Sequence, residues 1–178
     1  MRTMIEALNA EFVRYKHLGD KTFTQLGADE LSVPPPGGGN SIATICWHVS
    51  GNLRSRFTDF LTSDGEKPWR QRDEEFEARD VTKEALLEKW EQGWAALLGA
   101  LDELKDEHLD GSVVIRGVSL TVREALLRSL AHVSYHVGQI VYAGKMIRGG
   151  AWTYLSIPPG GSAQYNQNPT LERPEATK

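Results

Sequence analysis

Four stretches of this chain repeat apolar residues at three- and four-residue intervals, a period close to 3.6 that points to amphipathic helices. The first carries Ile5, Leu8, Phe12 and Tyr15, then Phe23 and Leu26 before Gly27. The second, with Asn40 or Ser41 as its N-cap, carries Ile42, Ile45, Val49, Leu53, Phe57 and Phe60. Thr82 caps the third, whose stripe is Leu86, Trp90, Trp94, Leu97, Leu101 and Leu104. The fourth opens on a capping box, Thr121 to Glu124, and extends to about Ile147. Each stripe must be buried against another, so the expected architecture is all-α, a four-helix bundle.

The segments between the helices differ in kind. "VPPPGGGN" (33–40) breaks regular structure, because proline removes donors and glycine removes stiffness. The charge-rich stretch 62–80 reads as a solvated surface connection, pinned by Trp69 and Phe76. "SVVIRGVSL" (112–120) alternates around Arg116-Gly117 and suggests a small β-ribbon before the last helix. The tail 149–169 is irregular, with Trp152, Tyr154, Leu155 and Ile157 expected to pack on the bundle. Residues 1–169 form one expected domain, and the polar 170–178 a frayed end.

Charge and composition narrow the function. A formal net charge of −4 leaves no electrostatic footprint for nucleic acid. No run has the uninterrupted apolar length a bilayer demands, and the charged N-terminus does not read as a signal peptide. The single cysteine, Cys46, excludes an internal disulfide and a CxxC zinc knuckle. The expected location is the cytoplasm, and the expected partner a small molecule.

"AHVSYHVGQI" (131–140) sets His132 and His136 one turn apart on one helical face. Spacing alone does not separate a ligand pair from two core histidines, and position favours the ligand pair. The apolar arc of that helix centres on Leu126, Val133, Val137 and Ile140, and the histidines sit at its edge among Ala125, Ser129 and Ala143. These small neighbours leave room above the rings, and Gln139 shares the face as a potential donor to something bound. On the second helix His48 lies at the edge of the arc Ile42, Val49, Leu53, Phe60, with Asn52 and Arg56 intruding toward its centre. Buried polar groups are costly unless satisfied, so this pattern points to a polar cavity. Three neutral imidazoles with open positions suit zinc, nickel or iron, with Asn52, Arg56 and Gln139 as substrate contacts; Arg56 reads equally as an ion-pair partner of Asp59 or the 64–75 loop, and Asn52 as a donor behind the ligands.

Other chemistry-bearing residues read differently. His17 lies off its helix's stripe and His108 follows the third helix in a charged turn, so both are expected to be solvated. Cys46 points about 200° away from His48 and reads as core. "RDEEFE" (72–77) has paired carboxylates but reads as a solvated face rather than an acid/base pair. "PPGGS" (158–162) lacks the strand, helix and GK[ST] of a phosphate loop. A tail crossing the metal cleft would bring Tyr165 or Asn166 to its opening.

A lone histidine in helix two, HxxxH in helix four and a long second connection together resemble the DinB/YfiT-like superfamily of metalloproteins, unrelated to the DNA polymerase that shares the name. "HVSGNLRSRFTDFLTSDGEKPWRQRDEEF" (48–76) and "LSIPPGGSAQYN" (155–166) are similar to one branch of it, a domain of unknown function. The resemblance covers nearly the whole chain. It implies a four-helix bundle, often a homodimer, and a divalent metal at His48, His132 and His136. Some relatives are transferases and isomerases that use a low-molecular-weight thiol such as bacillithiol or mycothiol. The expectation is therefore a metal-dependent enzyme, with S-transfer from such a thiol to a small electrophile as the leading reaction. Metal-dependent hydrolysis and a non-catalytic metal-binding scaffold of the stress response are the alternatives.

Overall fold

The computed structural model describes residues 2–172; of the expected frayed end, 173–178 lie outside the described residues. Helix α1 (Met4–Thr24) starts at a Thr3–Glu6 capping box and ends before Leu26, so the first stripe is split. Gly27 caps a short α2 (Ala28–Ser32), which buries Leu31. The second long helix, α3 (Ile42–Phe57), is capped by Ser41, whose Oγ accepts from Thr44 N at 3.1 Å. Helix α4 (Lys83–Glu103) begins at Thr82 as the sequence predicts. Strands β1 (Ser112–Ile115) and β2 (Val118–Thr121) form an antiparallel hairpin, and α5 (Val122–Arg148) follows from the Thr121–Glu124 capping box. A single turn, α6 (Ser162–Tyr165), lies in the tail.

The long helices pair α3 with α4 and α1 with α5, and their stripes merge into one core centred on Phe12, Phe23, Leu53, Trp90, Trp94, Leu126 and Ile140. Close approach of α3 and α4 depends on Gly93, where a Cβ would lie 2.6 Å from Ser50 Cα. Among the described residues no helix is long and apolar enough to cross a membrane.

The hairpin turns on two residues, Arg116 and Gly117, with φ of 56° and 74°. Positive φ at both central positions matches the right-handed twist of the strands. Arginine has no intrinsic preference for that region, and Asp64 supplies the compensation. Its carboxylate accepts from Arg116 N and Gly117 N, each at 2.8 Å. Gly65 N also donates to Val114 O at 2.8 Å, so the α3–α4 connection is tied to the hairpin by backbone.

This tie corrects the expectation for residues 62–80. Trp69 is half exposed, stacked under Arg54, and does not pin the connection. Lys67, Arg70 and Glu75 are buried instead. Lys67 Nζ donates to Asp64 O at 2.7 Å and to Ser63 Oγ, and Ser55 Oγ accepts from Lys67 N while donating to Gly65 O. Charged groups can be buried here because each finds a partner.

Candidate metal centre

Helices α3 and α5 bring His48, His132 and His136 together. One ring nitrogen from each lies within 4.8 Å of the other two. His48 Nε2 and His132 Nε2 are 3.2 Å apart, and the His136 ring centroid lies 4.6 Å from that of His132 and 4.7 Å from that of His48. Two imidazole nitrogens on one ion at about 2.0–2.1 Å stand roughly 3–3.4 Å apart. The His48–His132 separation already matches a shared ion.

Neighbouring side chains decide which nitrogen each ring offers. Gln139 Oε1 lies 2.8 Å from His136 Nδ1 and can accept a hydrogen bond from its N–H, which leaves Nε2 open. Glu75 Oε2 does the same for His48, 2.9 Å from Nδ1. His132 Nδ1 is buried with no hydrogen-bond partner among the described residues. The donor set is thus three imidazoles, two of them with Nε2 turned inward by an oxygen behind the ring, and it fits a divalent ion.

Glu75 is the residue that sequence reasoning missed. It lies in a 3-10 turn, Asp73–Phe76, within the charge run that reads as a solvated face. Arg70 clamps it from two sides, Nε to Oε1 and Nη2 to Oε2, both at 2.8 Å. A carboxylate can reach α3 there only because residue 51 is glycine; a Cβ on Gly51 would stand 2.1 Å from Glu75 Oε1. The available signal was that glycine. It sits in a helix interior one turn from His48, where it costs about 1 kcal/mol relative to alanine and so needs a reason. The next residue, Phe76, packs its ring 4.6 Å from the His48 ring.

The electrostatics favour neutral rings at His132 and His136. Burial, then the charges of His136, His48, Arg70 and Arg56, pushes the His132 pKa down to about 3. Burial likewise lowers that of His136, against the Gln139 hydrogen bond. Burial alone would raise Glu75, but the Arg70 and His48 hydrogen bonds outweigh it and hold the carboxyl ionised below its ordinary range.

The three histidines open onto a cavity of about 800 Å³. Asn52 and Arg56 line it, Arg56 being held by Gly65 O and by Glu66 Oε2 at 3.1 Å. Gln139 does not line it, and its oxygen is engaged by His136. The tail does not line it either, so Tyr165 and Asn166 are not at its opening. Trp152 is buried, Tyr154 exposed, and Tyr165 Oη accepts from Thr170 N and Leu171 N. The tail lies along α1 and the second half of α5, where Leu155 and Ile157 share a groove with Leu18 and Val141. Cys46 is fully buried, which raises its thiol pKa, and it belongs to the core. His108 and His17 are half-buried rather than solvated; His108 Nδ1 accepts from Lys105 N at 3.1 Å.

Fold and site together define a helical bundle with a three-histidine centre that could hold a metal ion, at the edge of an open cavity. The chain belongs to the family described as protein of unknown function (DUF1572), whose model matches residues 1–161. A similar solved structure is described as the crystal structure of the conserved protein of locus from Enterococcus faecalis. It aligns with a TM-score of 0.63 at 19% identity, covering 84% of this chain and 99% of that one. That likeness shows a shared fold. No curated protein matches the chain.

Proposed function

We propose that this chain is a divalent-metal-dependent enzyme of the DinB-like superfamily, acting on a small molecule, with His48, His132 and His136 as metal ligands. The observation that carries this reading is three imidazoles meeting at the edge of a large cavity. Their nitrogens lie within 4.8 Å of one another, with no fourth histidine, cysteine, aspartate or glutamate in the group among the described residues. Structural metal sites are normally closed by four protein ligands, whereas catalytic ones keep a position open. Zinc, nickel and iron suit such donors.

A divalent ion held by His48, His132 and His136 would supply a lowered pKa to a water or thiol bound with it. Glu75 and Gln139 hold two of the rings in the tautomer that faces inward, and burial disfavours protonation of His132 and His136. Asn52 and Arg56 face the cavity as contacts for what enters. The leading reaction is transfer of a low-molecular-weight thiol to a small electrophile, which the resemblance supports and which suits a cytoplasmic protein. The outward stripe Leu127, Tyr135, Tyr142 and Met146 on α5, all exposed, supports a homodimer.

Zinc-loaded protein is tested with a chromogenic aryl halide, with and without a small thiol. The expected result is consumption of the halide only with thiol, abolished by a chelator and restored by zinc. Thiol-independent hydrolysis of an ester, lost with the metal, would assign the site to a hydrolase instead. A rate unaffected by metal removal would contradict the proposal.

A further inference from the structure

The wall facing the histidines is rich in arginine. Arg56 from α3, Arg70 and Arg72 from the connection, Arg116 from the hairpin turn and Arg128 from α5 all line the cavity, and among the described residues no aspartate or glutamate does. This happens in a chain whose acidic residues outnumber its basic ones, 24 to 20. A concave surface lined by one sign of charge focuses the field on whatever enters.

The carboxylates behind this wall do not neutralise it. Glu66 is shared by Arg116 at 2.8 Å and Arg56 at 3.1 Å, with Arg70 Nη1 at 3.9 Å. Glu75 divides itself between Arg70 and His48. Arg70 is 8% exposed and its Nη1 is buried without a hydrogen-bond partner. Burial lowers the Arg56 pKa against the pull of Glu66, and the charges of Arg70 and Arg116 add to that, as crowded cations do. Among the described residues Arg72 pairs with the fully exposed Asp73 at 3.4 Å and lies 5.1 Å over the Phe76 ring, and Arg128 makes no ion pair or hydrogen bond. Arg56, Arg70 and Arg116 therefore have a structural use in fastening the connection and the hairpin, and Arg72 covers the Phe76 ring, but Arg128 has no such use.

We infer that this cavity is an oxyanion site: its ligand is a small molecule carrying a carboxylate or phosphate group, received by Arg128 and Arg72 at the mouth, beside Arg116 on the exposed hairpin turn and in the field of the more deeply set Arg56 and Arg70. Guanidinium forks suit both groups because they present paired donors in a plane. Ile115, Val118 and Leu120 of the hairpin give the rest of the ligand an apolar surface on the same wall. The inference deepens the enzyme reading, since it classes the substrate of that site, but the anion contacts themselves need no metal.

Chelator-treated, metal-free protein is titrated calorimetrically at low salt with inorganic phosphate and, separately, with citrate. Saturable binding of at least one anion is expected, with a dissociation constant of about 1 mM or tighter. Which of the two binds more tightly identifies the group preferred. Arg128→Glu should weaken binding by about tenfold or more, because a positive contact becomes a repulsive one. Its melting temperature should not change, since Arg128 holds nothing in place. Arg123→Glu, whose side chain pairs with Asp110 away from the cavity, should leave the affinity within about twofold. No saturable binding of either anion, or equal affinity in the Arg128→Glu protein, would overturn the inference. Metal-free His132→Ala is expected to bind the anion still. Loss of metal uptake with anion binding retained separates the two readings: failed metal uptake in the wild type would sink the metal centre alone.

Discussion

The charged connection between α3 and α4 and the apolar tail after α5 are both irregular, yet they do opposite work. The connection enters the protein. Its Glu75 reaches His48, its Arg70 lines the cavity, and its Asp64 organises the hairpin turn. The tail stays on the helices, burying Trp152 against Gly144 and leaving the cavity alone. Charge was needed inside because a neutral imidazole cluster must be oriented and a buried guanidinium must be paired. Apolar side chains have only surface to cover, so they follow the nearest apolar groove.

The largest expected effect tests whether the connection is structural as well as functional. Glu75→Ala strands the Arg70 guanidinium, and removing one partner of a buried pair costs about 3–5 kcal/mol. Urea denaturation should show that loss, while Trp69→Ala in the same segment, half exposed, should cost about 1 kcal/mol or less. The tail's anchor comes next. Trp152→Ala should cost about 2–4 kcal/mol through the space it leaves, yet zinc affinity by competition with a chromophoric chelator should not move. Glu75→Gln reverses that pattern. It keeps the shape of the side chain but weakens its hold on the His48 ring, and should lower metal affinity by about 10–100-fold. Equal metal affinity in Glu75→Gln and Trp152→Ala would erase the distinction between the two segments.

The smallest effect is pH dependence. His132 titrates near 3 in the folded protein, and its ordinary value is 6.5; His136 is lowered as well. Between these limits the unfolded chain binds more protons than the folded one, so unfolding becomes easier as pH falls. Metal-free protein should lose stability from about pH 6.5 downward, before the carboxylates titrate. His132→Ala should flatten that slope in denaturation measured across pH.

The histidines were legible because a helix is regular. At about 100° per residue, His48, His132 and His136 could be set on the edges of their arcs, and α5 began and the hairpin turned where capping and turn residues said. Glu75 and Arg70 were not legible, since an irregular segment has no period to project from. A run of like-looking charges gives no sign of which member turns inward. Gly51 carried that information, because its missing Cβ is a vacancy made for a partner that the helix itself does not contain. The tail was legible in part for a related reason: its apolar residues predicted packing on the bundle but not on which groove.

The central claim is that three imidazole rings hold one divalent ion, and metal content tests it most directly. Untagged protein, purified after zinc loading and gel filtration, is analysed by inductively coupled plasma mass spectrometry beside His48→Ala, His132→Ala and His136→Ala. A single equivalent of metal in the wild type, absent from all three helical and folded variants, is the expected result. Undiminished metal in any of the three would contradict the account.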